Sequence, residues 1–194
     1  MRILISGASG MIGSALARAA HAESWEVVRL VRSPSAEGPD AVLWNPADVA
    51  NSVDPARLEG FDIVVHLSGT NVAHRWTPEF KRDIVASRVG STQALCSALA
   101  RLRNRPRVLL CASGSGNYGS RGDEILTEKS EPGSGFLADL CRAWENATQA
   151  ASDAGLRVVH LRCGIVLDPA RGAMAAMLPP FRFGVGGWLG SGRQ

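Results

Sequence analysis

The sequence predicts an α/β protein built on a doubly wound parallel sheet. Apolar, strand-like runs alternate with helix-like segments along the chain. The connections are mostly short, which calls for right-handed strand–helix–strand crossovers. The first strand passes into the first helix through a loop of three spaced glycines, Gly7, Gly10 and Gly13.

Each element has its own signal. Ile3-Leu-Ile5 is an apolar strand, and Gly10 to Ala22 has helical character. Glu26-Val-Val-Arg-Leu-Val31 is a second strand, followed by a loop rich in Pro, Ser and Gly from Ser33 to Asp40. Ala41-Val-Leu-Trp44 is a short strand candidate. Asp62-Ile-Val-Val-His-Leu67 is apolar enough to be covered on both faces. The longest helix candidate runs from about Pro78 to Leu102, with Ile84, Arg88, Ser91, Leu95, Leu99 and Leu102 recurring at steps of three and four. Thr77 is placed to cap it and Pro78 suits its first turn. Gly90 inside this helix costs about 1 kcal/mol relative to Ala; a close approach to the sheet or a ligand would explain it, and ordinary tight packing explains it equally well.

Arg107-Val-Leu-Leu-Cys111 is another buried-type strand, and Ser113 to Gly135 reads as loop. A helix follows from about Phe136 to Ala154, stopped by Gly155. Leu156-Arg-Val-Val-His-Leu161 is a further strand. A short apolar helix from Ala173 precedes Pro179-Pro180, and the chain runs out through a glycine-rich stretch around Trp188.

Composition narrows the function. The chain has 194 residues, 45% hydrophobic and 20% charged, with a net charge of +3. A chain of this length buries roughly 70% of its unfolded surface and needs no disulfide or metal staple. Nineteen of its 21 basic residues are Arg, but they are scattered, which argues against a nucleic-acid surface. No apolar run approaches the roughly 20 residues of a membrane helix. Met1 leads straight into a strand-like run without an export signal, so a cytoplasmic location is expected. Cys96, Cys111, Cys141 and Cys163 lack metal-ligand spacing, and buried reduced thiols are the expectation.

The glycine loop carries the chemistry. Placed between a strand and a helix, Gly7 permits a tight turn, Gly10 lets the backbone approach a pyrophosphate, and Gly13 lets the helix pack closely. Ser9, Met11 and Ile12 complete a cradle whose free N–H groups and helix dipole favour phosphate. An acidic residue at the end of the second strand would bind the adenosine ribose hydroxyls. This chain has Arg32 and Ser33 there, a fork and a hydroxyl suited to a 2′-phosphate, so NADP(H) is expected over NAD(H). Leu67, Ser68 and Gly69 end the fourth strand at the crevice and are candidate cofactor contacts. Arg88 is a further candidate, while His66 reads as a packed strand residue with no proton-transfer role.

With these residues the chain resembles the extended short-chain dehydrogenase/reductases of the NAD-dependent epimerase/dehydratase type. The resemblance rests on the Gly7–Gly13 loop, His66-Leu-Ser-Gly69, Cys111-Ala-Ser-Gly-Ser-Gly-Asn-Tyr-Gly119 and Arg162-Cys-Gly-Ile-Val-Leu167. It is closest in pattern to the atypical branch called epimerase family proteins, formerly labelled cell-division-inhibitor-like. The stretches specific to that branch are Arg75-Trp-Thr77, Ser87-Arg88, Phe136-Leu137 with Trp144-Glu145, and Pro180 to Gly187 running into Gly190 to Gln194.

The resemblance implies a Rossmann-like nucleotide domain over residues 1–168 and the start of a small C-terminal substrate lobe over 169–194, the rest of that lobe being absent. The usual members of the wider family carry a catalytic Tyr-x-x-x-Lys pair, which this chain lacks, as the atypical branch it resembles generally does: Phe136 or Leu137 stands where Tyr belongs, and Leu140 or Cys141 where Lys belongs. Tyr118 is the only tyrosine. The remaining catalytic candidates are Ser113 and Tyr118, with Ser115, Asn71, Asp123 and Glu128 nearby in sequence or across the crevice. Two functions stay open. One is an NADP(H)-dependent oxidoreductase or nucleotide-sugar-epimerase-like enzyme with a nonstandard acid/base. The other is a non-catalytic NADP(H)-binding sensor. A small-molecule substrate, or none, is the expected partner, with no nucleic acid, membrane or metal involved.

Overall fold

A computed structural model describes residues 1–187. Six strands form one sheet in the order β3-β2-β1-β4-β5-β6. They are β1 (Arg2–Ser6), β2 (Glu26–Val31), β3 (Ala41–Leu43), β4 (Ile63–His66), β5 (Val108–Gly114) and β6 (Arg157–Cys163). The pairs β1–β2, β2–β3, β1–β4 and β4–β5 are parallel, with Ile3 opposite Val27 on one side and Ile63 on the other. The chain winds outward from β1 to β3, then returns past β1 and winds the other way. The carboxyl ends of β1 and β4 therefore flank the point where the winding reverses, which is where open α/β sheets hold ligands.

Alternation along the strands fills both faces. Leu4, Val28, Leu30, Val64, Leu109 and Cys111 join one core with Leu95, Leu99 and Trp144, beneath helices α3 (Ser91–Ala100) and α4 (Phe136–Asn146). Ile3, Ile5, Val27 and Val65 join the other, beneath α1 (Met11–Ala22). A sheet covered on both sides explains why its strands read as nearly continuous apolar runs.

Several elements differ from the sequence reading. The long helix from Pro78 is interrupted: α2 (Pro78–Val85) and α3 are joined by a π-helical turn, Ala86–Gly90. Gly90 closes that turn, and a side chain there would meet nothing within 4 Å, so close packing does not explain it. Strand β5 continues to Gly114 and passes into a 3-10 turn, Ser115–Tyr118, through the start of the expected loop. The helix from Phe136 divides into α4 and α5 (Gln149–Asp153), the latter ended by Gly155 at φ +86°. Cys96, Cys111 and Cys141 are buried as expected, but Cys163 at the end of β6 is exposed.

The structure separates into two compact units, Met1–Arg162 and a second beginning at Cys163. The second contains α6 (Gly172–Arg182), which runs through Pro179 and Pro180 instead of stopping before them. Neither proline has an N–H to give the preceding turn, so that helix loses two internal hydrogen bonds. Among the described residues, no helix is long and apolar enough to cross a membrane. Trp188 and the expected glycine-rich ending after it lie outside the described residues.

Candidate functional site

The glycine loop lies at the carboxyl end of β1. Gly7 adopts φ +69°, and a Cβ there would lie 2.7 Å from the Leu67 carbonyl oxygen. The left-handed turn and the closeness of β4 both require glycine. The Gly10 amide donates to Gly7 O at 3.0 Å and closes the turn. Gly13 packs the first turn of α1 onto that loop. A Cβ would meet Gly7 O and the Ala8 backbone far inside contact distance. Gly10, by contrast, is exposed, and a Cβ there would touch only Gly7 O at 3.2 Å. Gly10 caps α1 without a side-chain bond, and no acidic residue occupies the first turn. The N–H groups at this helix start, on Met11, Ile12 and Gly13, therefore keep their capacity to bind an anion. Gly7 and Gly13 shape the cradle and Gly10 opens it, as a pyrophosphate requires. Ser9 is exposed at its rim.

Arg32 and Ser33 are exposed at the end of β2, and Ser33 Oγ pairs with Ser35 Oγ at 2.8 Å. A cavity of about 830 Å³ opens beside Arg32, lined also by Trp44, Asn45, Asp54 and Arg57. It lies on the β3 side and does not include the glycine loop.

His66 is fully buried at the end of β4, as its strand position implied. Ser91 Oγ donates to the Ser87 carbonyl at 2.7 Å, so it accepts from His66 Nε2 at 3.3 Å. That leaves Nδ1 bare to accept from Ser6 Oγ at 2.7 Å, while Ser6 Oγ accepts from the Leu67 amide at 3.1 Å. The imidazole ties together the ends of β1 and β4 and the start of α3. Burial pushes its pKa from 6.5 down to about 4, so it is neutral at physiological pH.

The residues nominated for chemistry on β5 and its turn are joined through two side chains that the sequence reading quoted only as motif. Ser113 Oγ donates to Glu145 Oε1 at 2.7 Å. Arg162 grips the same carboxylate with Nε and Nη2, both at 2.8 Å, and donates from Nη1 to the Tyr118 hydroxyl at 3.0 Å. Burial pushes the Glu145 carboxyl up, but the bonds from Arg162 and Ser113 outweigh it and hold the group below its ordinary value. Its bonds to Glu145 and Tyr118 in turn hold the Arg162 guanidinium charged. His160 lies 4.0 Å from Glu145, and burial lowers its pKa.

Tyr118 is only 8% exposed, packed under the Arg162 guanidinium. The signal for this cluster was present in Trp144-Glu145 and Arg162, but the pairing joins a helix to a strand 17 residues away. Beside it, Asn117 is buried with both side-chain amide atoms unbonded.

Where the resemblance places a tyrosine, Phe136 stacks edge-on to Trp76 at 5.6 Å, with the Lys81 ammonium 5.1 Å above its ring. Cys141 donates weakly to Gly114 O at 3.6 Å, and burial raises its thiol pKa. No titratable pair of the expected kind stands on α4. Ser115, Asn71, Asp123 and Glu128 are exposed, and they make no side-chain hydrogen bond to Ser113 or Tyr118. No group of three or more metal-ligating side chains occurs among the described residues.

The strand order and the glycine cradle at its reversal point define a Rossmann-like dinucleotide fold. The profile of the NAD dependent epimerase/dehydratase family matches residues 3–181, and the chain belongs to that family. An epimerase family protein of Mycobacterium bovis is 42% identical over 193 residues, covering 99% of this chain and 62% of the relative. The human epimerase family protein SDR39U1 (isoform 2), whose crystal structure is with NADPH, superposes with a TM-score of 0.86 at 33% identity, over 100% of this chain and 64% of that one. A nucleoside-diphosphate sugar epimerase from Corynebacterium glutamicum superposes with a TM-score of 0.83 at 36% identity, over 98% of this chain and 39% of that one. The chain thus spans about three-fifths of the length of the curated relatives it matches.

Proposed function

We propose that this chain is the cofactor-binding part of an NADP(H)-dependent oxidoreductase or nucleotide-sugar-epimerase-like protein. The observation that carries this reading is the cradle: a positive-φ Gly7, an open Gly10 and an uncapped helix start at the sheet's reversal point. The dinucleotide would lie across Gly7, Ser9, Gly10, Met11, Ile12 and Gly13, with Leu67, Ser68 and Gly69 along its other side. When bound, the cofactor supplies hydride chemistry; the chain supplies binding and orientation. Arg32 and Ser33, exposed and without an acidic neighbour in sequence, support NADP(H), with NAD(H) the weaker ligand. The NADPH in the human relative's structure supports the same choice.

The test is a titration of NADPH and NADH against the wild type, Gly10→Val and Arg32→Ala. The branched side chain should abolish binding of both cofactors. Arg32→Ala should weaken NADPH by about 10- to 100-fold, the value of a charge-assisted contact, and leave NADH unchanged. Tight NADPH binding by Gly10→Val would overturn the site.

A second reading, a non-catalytic NADP(H)-binding sensor, is favoured by the commitments around Ser113 and Tyr118. Both hydroxyls are already engaged, one by Glu145 and one by Arg162, and α4 offers no tyrosine–lysine pair. Turnover of bound NADPH by the full-length protein over a panel of carbonyl substrates separates the two. Activity that collapses in Tyr118→Phe assigns the acid/base to this loop, and binding without consumption assigns the sensor.

A further inference from the structure

The stretch after β4 folds into a short knuckle, residues 70–77, that ends where α2 begins. Its root is fixed to the π-helical turn. The Thr70 amide donates to Ser87 Oγ at 3.1 Å, and Arg88 Nη2 donates to the Thr70 carbonyl at 3.1 Å. Asn71 Oδ1 accepts from the Ala73 amide at 3.0 Å. The Val72 carbonyl accepts twice, from the His74 amide and from Trp76 Nε1, both at 2.9 Å. The indole is therefore pinned at its nitrogen. Its ring meets Phe136, at the start of α4, edge-on with 5.6 Å between centres. The pair bridges the segments that follow β4 and β5 at the carboxyl edge of the sheet.

This bridge is apolar and cationic at once. Val72, Trp76 and Leu137 are each about two-fifths exposed. Lys81 Nζ stands 5.1 Å above the Phe136 ring, and the exposed Arg75 directly precedes Trp76. Among the described residues, no carboxylate lies within ion-pair distance of Arg75 or Lys81, whereas six other arginines each have one. The neutral polar atoms are already committed to the backbone. Besides Asn71 Oδ1 and Trp76 Nε1, Thr77 Oγ1 accepts from the Phe80 amide at 3.2 Å. The hydroxyls of a sugar would find few partners here. A flat apolar ring would find a fixed aromatic surface, and a negative charge on it two cations. Phe136 and Leu137, where the wider family carries a tyrosine, supply surface in place of a hydroxyl.

We propose that Trp76, Phe136, Arg75 and Lys81 form the binding site of an aromatic carboxylate, on the same edge of the sheet as the glycine cradle. The rings take the flat apolar body of the ligand, and the two cations take its carboxylate. The indole is pinned before the ligand arrives, so little side-chain freedom is lost on binding. This names a substrate class other than a nucleotide sugar. Any reaction of the ligand rests on the dinucleotide reading above, whereas its binding does not.

The experiment titrates the full-length protein, free and saturated with NADPH, with 2-naphthoate, its neutral analogue 2-naphthamide, and UDP-glucose. The variants are Trp76→Ala, Trp76→Phe and the double variant Arg75→Gln, Lys81→Gln. Trp76→Ala should weaken naphthoate about 10-fold, and Trp76→Phe, which keeps a ring, should recover most of the loss. The double variant should also weaken naphthoate about 10-fold, to the affinity of the wild type for naphthamide, and added salt should do the same. The Trp76 indole N–H resonance, assigned by its loss in Trp76→Phe, should shift on addition of naphthoate. Equal binding of naphthoate and naphthamide would overturn the proposal. So would unchanged naphthoate affinity in folded Trp76→Ala, or UDP-glucose binding more tightly with the same dependence on Trp76. A Trp76→Ala variant that turns a dimer into a monomer, with no naphthoate bound by the wild type, would make the patch an interface between copies and overturn it too. NADPH binding without naphthoate binding refutes this site alone, and naphthoate binding without NADPH binding refutes the dinucleotide reading alone.

Discussion

Lowering the pH should destabilise this protein in a window that belongs largely to His66. The imidazole is fully buried, accepts from Ser6 and donates to Ser91, and burial lowers its pKa from 6.5 to about 4. The sign follows from linkage. The unfolded chain takes up the proton first, so the neutral buried ring contributes stability above pH 6.5 that is lost as pH falls toward 4. Each pH unit between the two values removes about 1.4 kcal/mol. The loss between pH 7 and 5 is about 2 kcal/mol, reaching about 3 kcal/mol near pH 4. For a chain of this size, 2 kcal/mol lowers Tm by about 4–8 °C. His160 shifts in the same direction, so the measurement must be differential. Urea unfolding of wild type and His66→Asn across this range should give stability curves that converge as pH falls. Parallel curves would refute the reasoning, as would a ring resonance of His66 that titrates near its ordinary value.

The Glu145–Arg162 pair should be worth more than an exposed ion pair: a double-mutant cycle with Glu145→Gln and Arg162→Met should give a coupling of about 1–3 kcal/mol in thermal unfolding. Because the Glu145 carboxyl is held below its ordinary 4.5, that coupling should persist above this pH and fade only below it. Gly13→Ala should cost about 1–3 kcal/mol through the collision with Gly7 O, measured by urea unfolding without cofactor. Ser24 closes α1 at φ +58°; Ser24→Gly should raise Tm, by relieving strain of up to about 1 kcal/mol less the entropy glycine adds to the unfolded chain.

The sheet was legible because parallel strands buried on both faces must be apolar throughout. Leu4, Val64 and Leu109 announced themselves in that way. The cradle was legible because Gly7 and Gly13 are steric necessities at a fixed spacing. What escaped the sequence depends on partners far along the chain. Glu145 and Arg162 each look like ordinary surface charges until α4 and β6 bring them together. The π-turn leaves no mark in the periodicity, since one residue too many in a turn hardly disturbs steps of three and four. Cys163 sits in an apolar-looking stretch, but the strand ends there and its thiol is exposed. Pro179 and Pro180 argued for a helix stop, and α6 accommodates them at the cost of two bonds.

The turn at Ala86–Gly90 also constrains how this segment can change length. In an α-helix each residue advances about 100° around the axis. The π turn takes up one residue beyond the regular repeat, so deleting one here would restore plain α-helix and leave α3 oriented on α2 as it is. Ser91 would keep its place against His66, and Thr92 against the Trp144 indole nitrogen it meets at 2.9 Å. Inserting a residue has no such slack to use: it would rotate α3 by about 100° and break both contacts. Exposed positions such as Val85 and Ala86 can accept other side chains, and the number of residues between the caps at Thr77 and Arg101 can fall by one but cannot rise. Relatives that share the His66–Ser91 contact should therefore align through this stretch with the same length or one residue fewer, whatever their identity elsewhere.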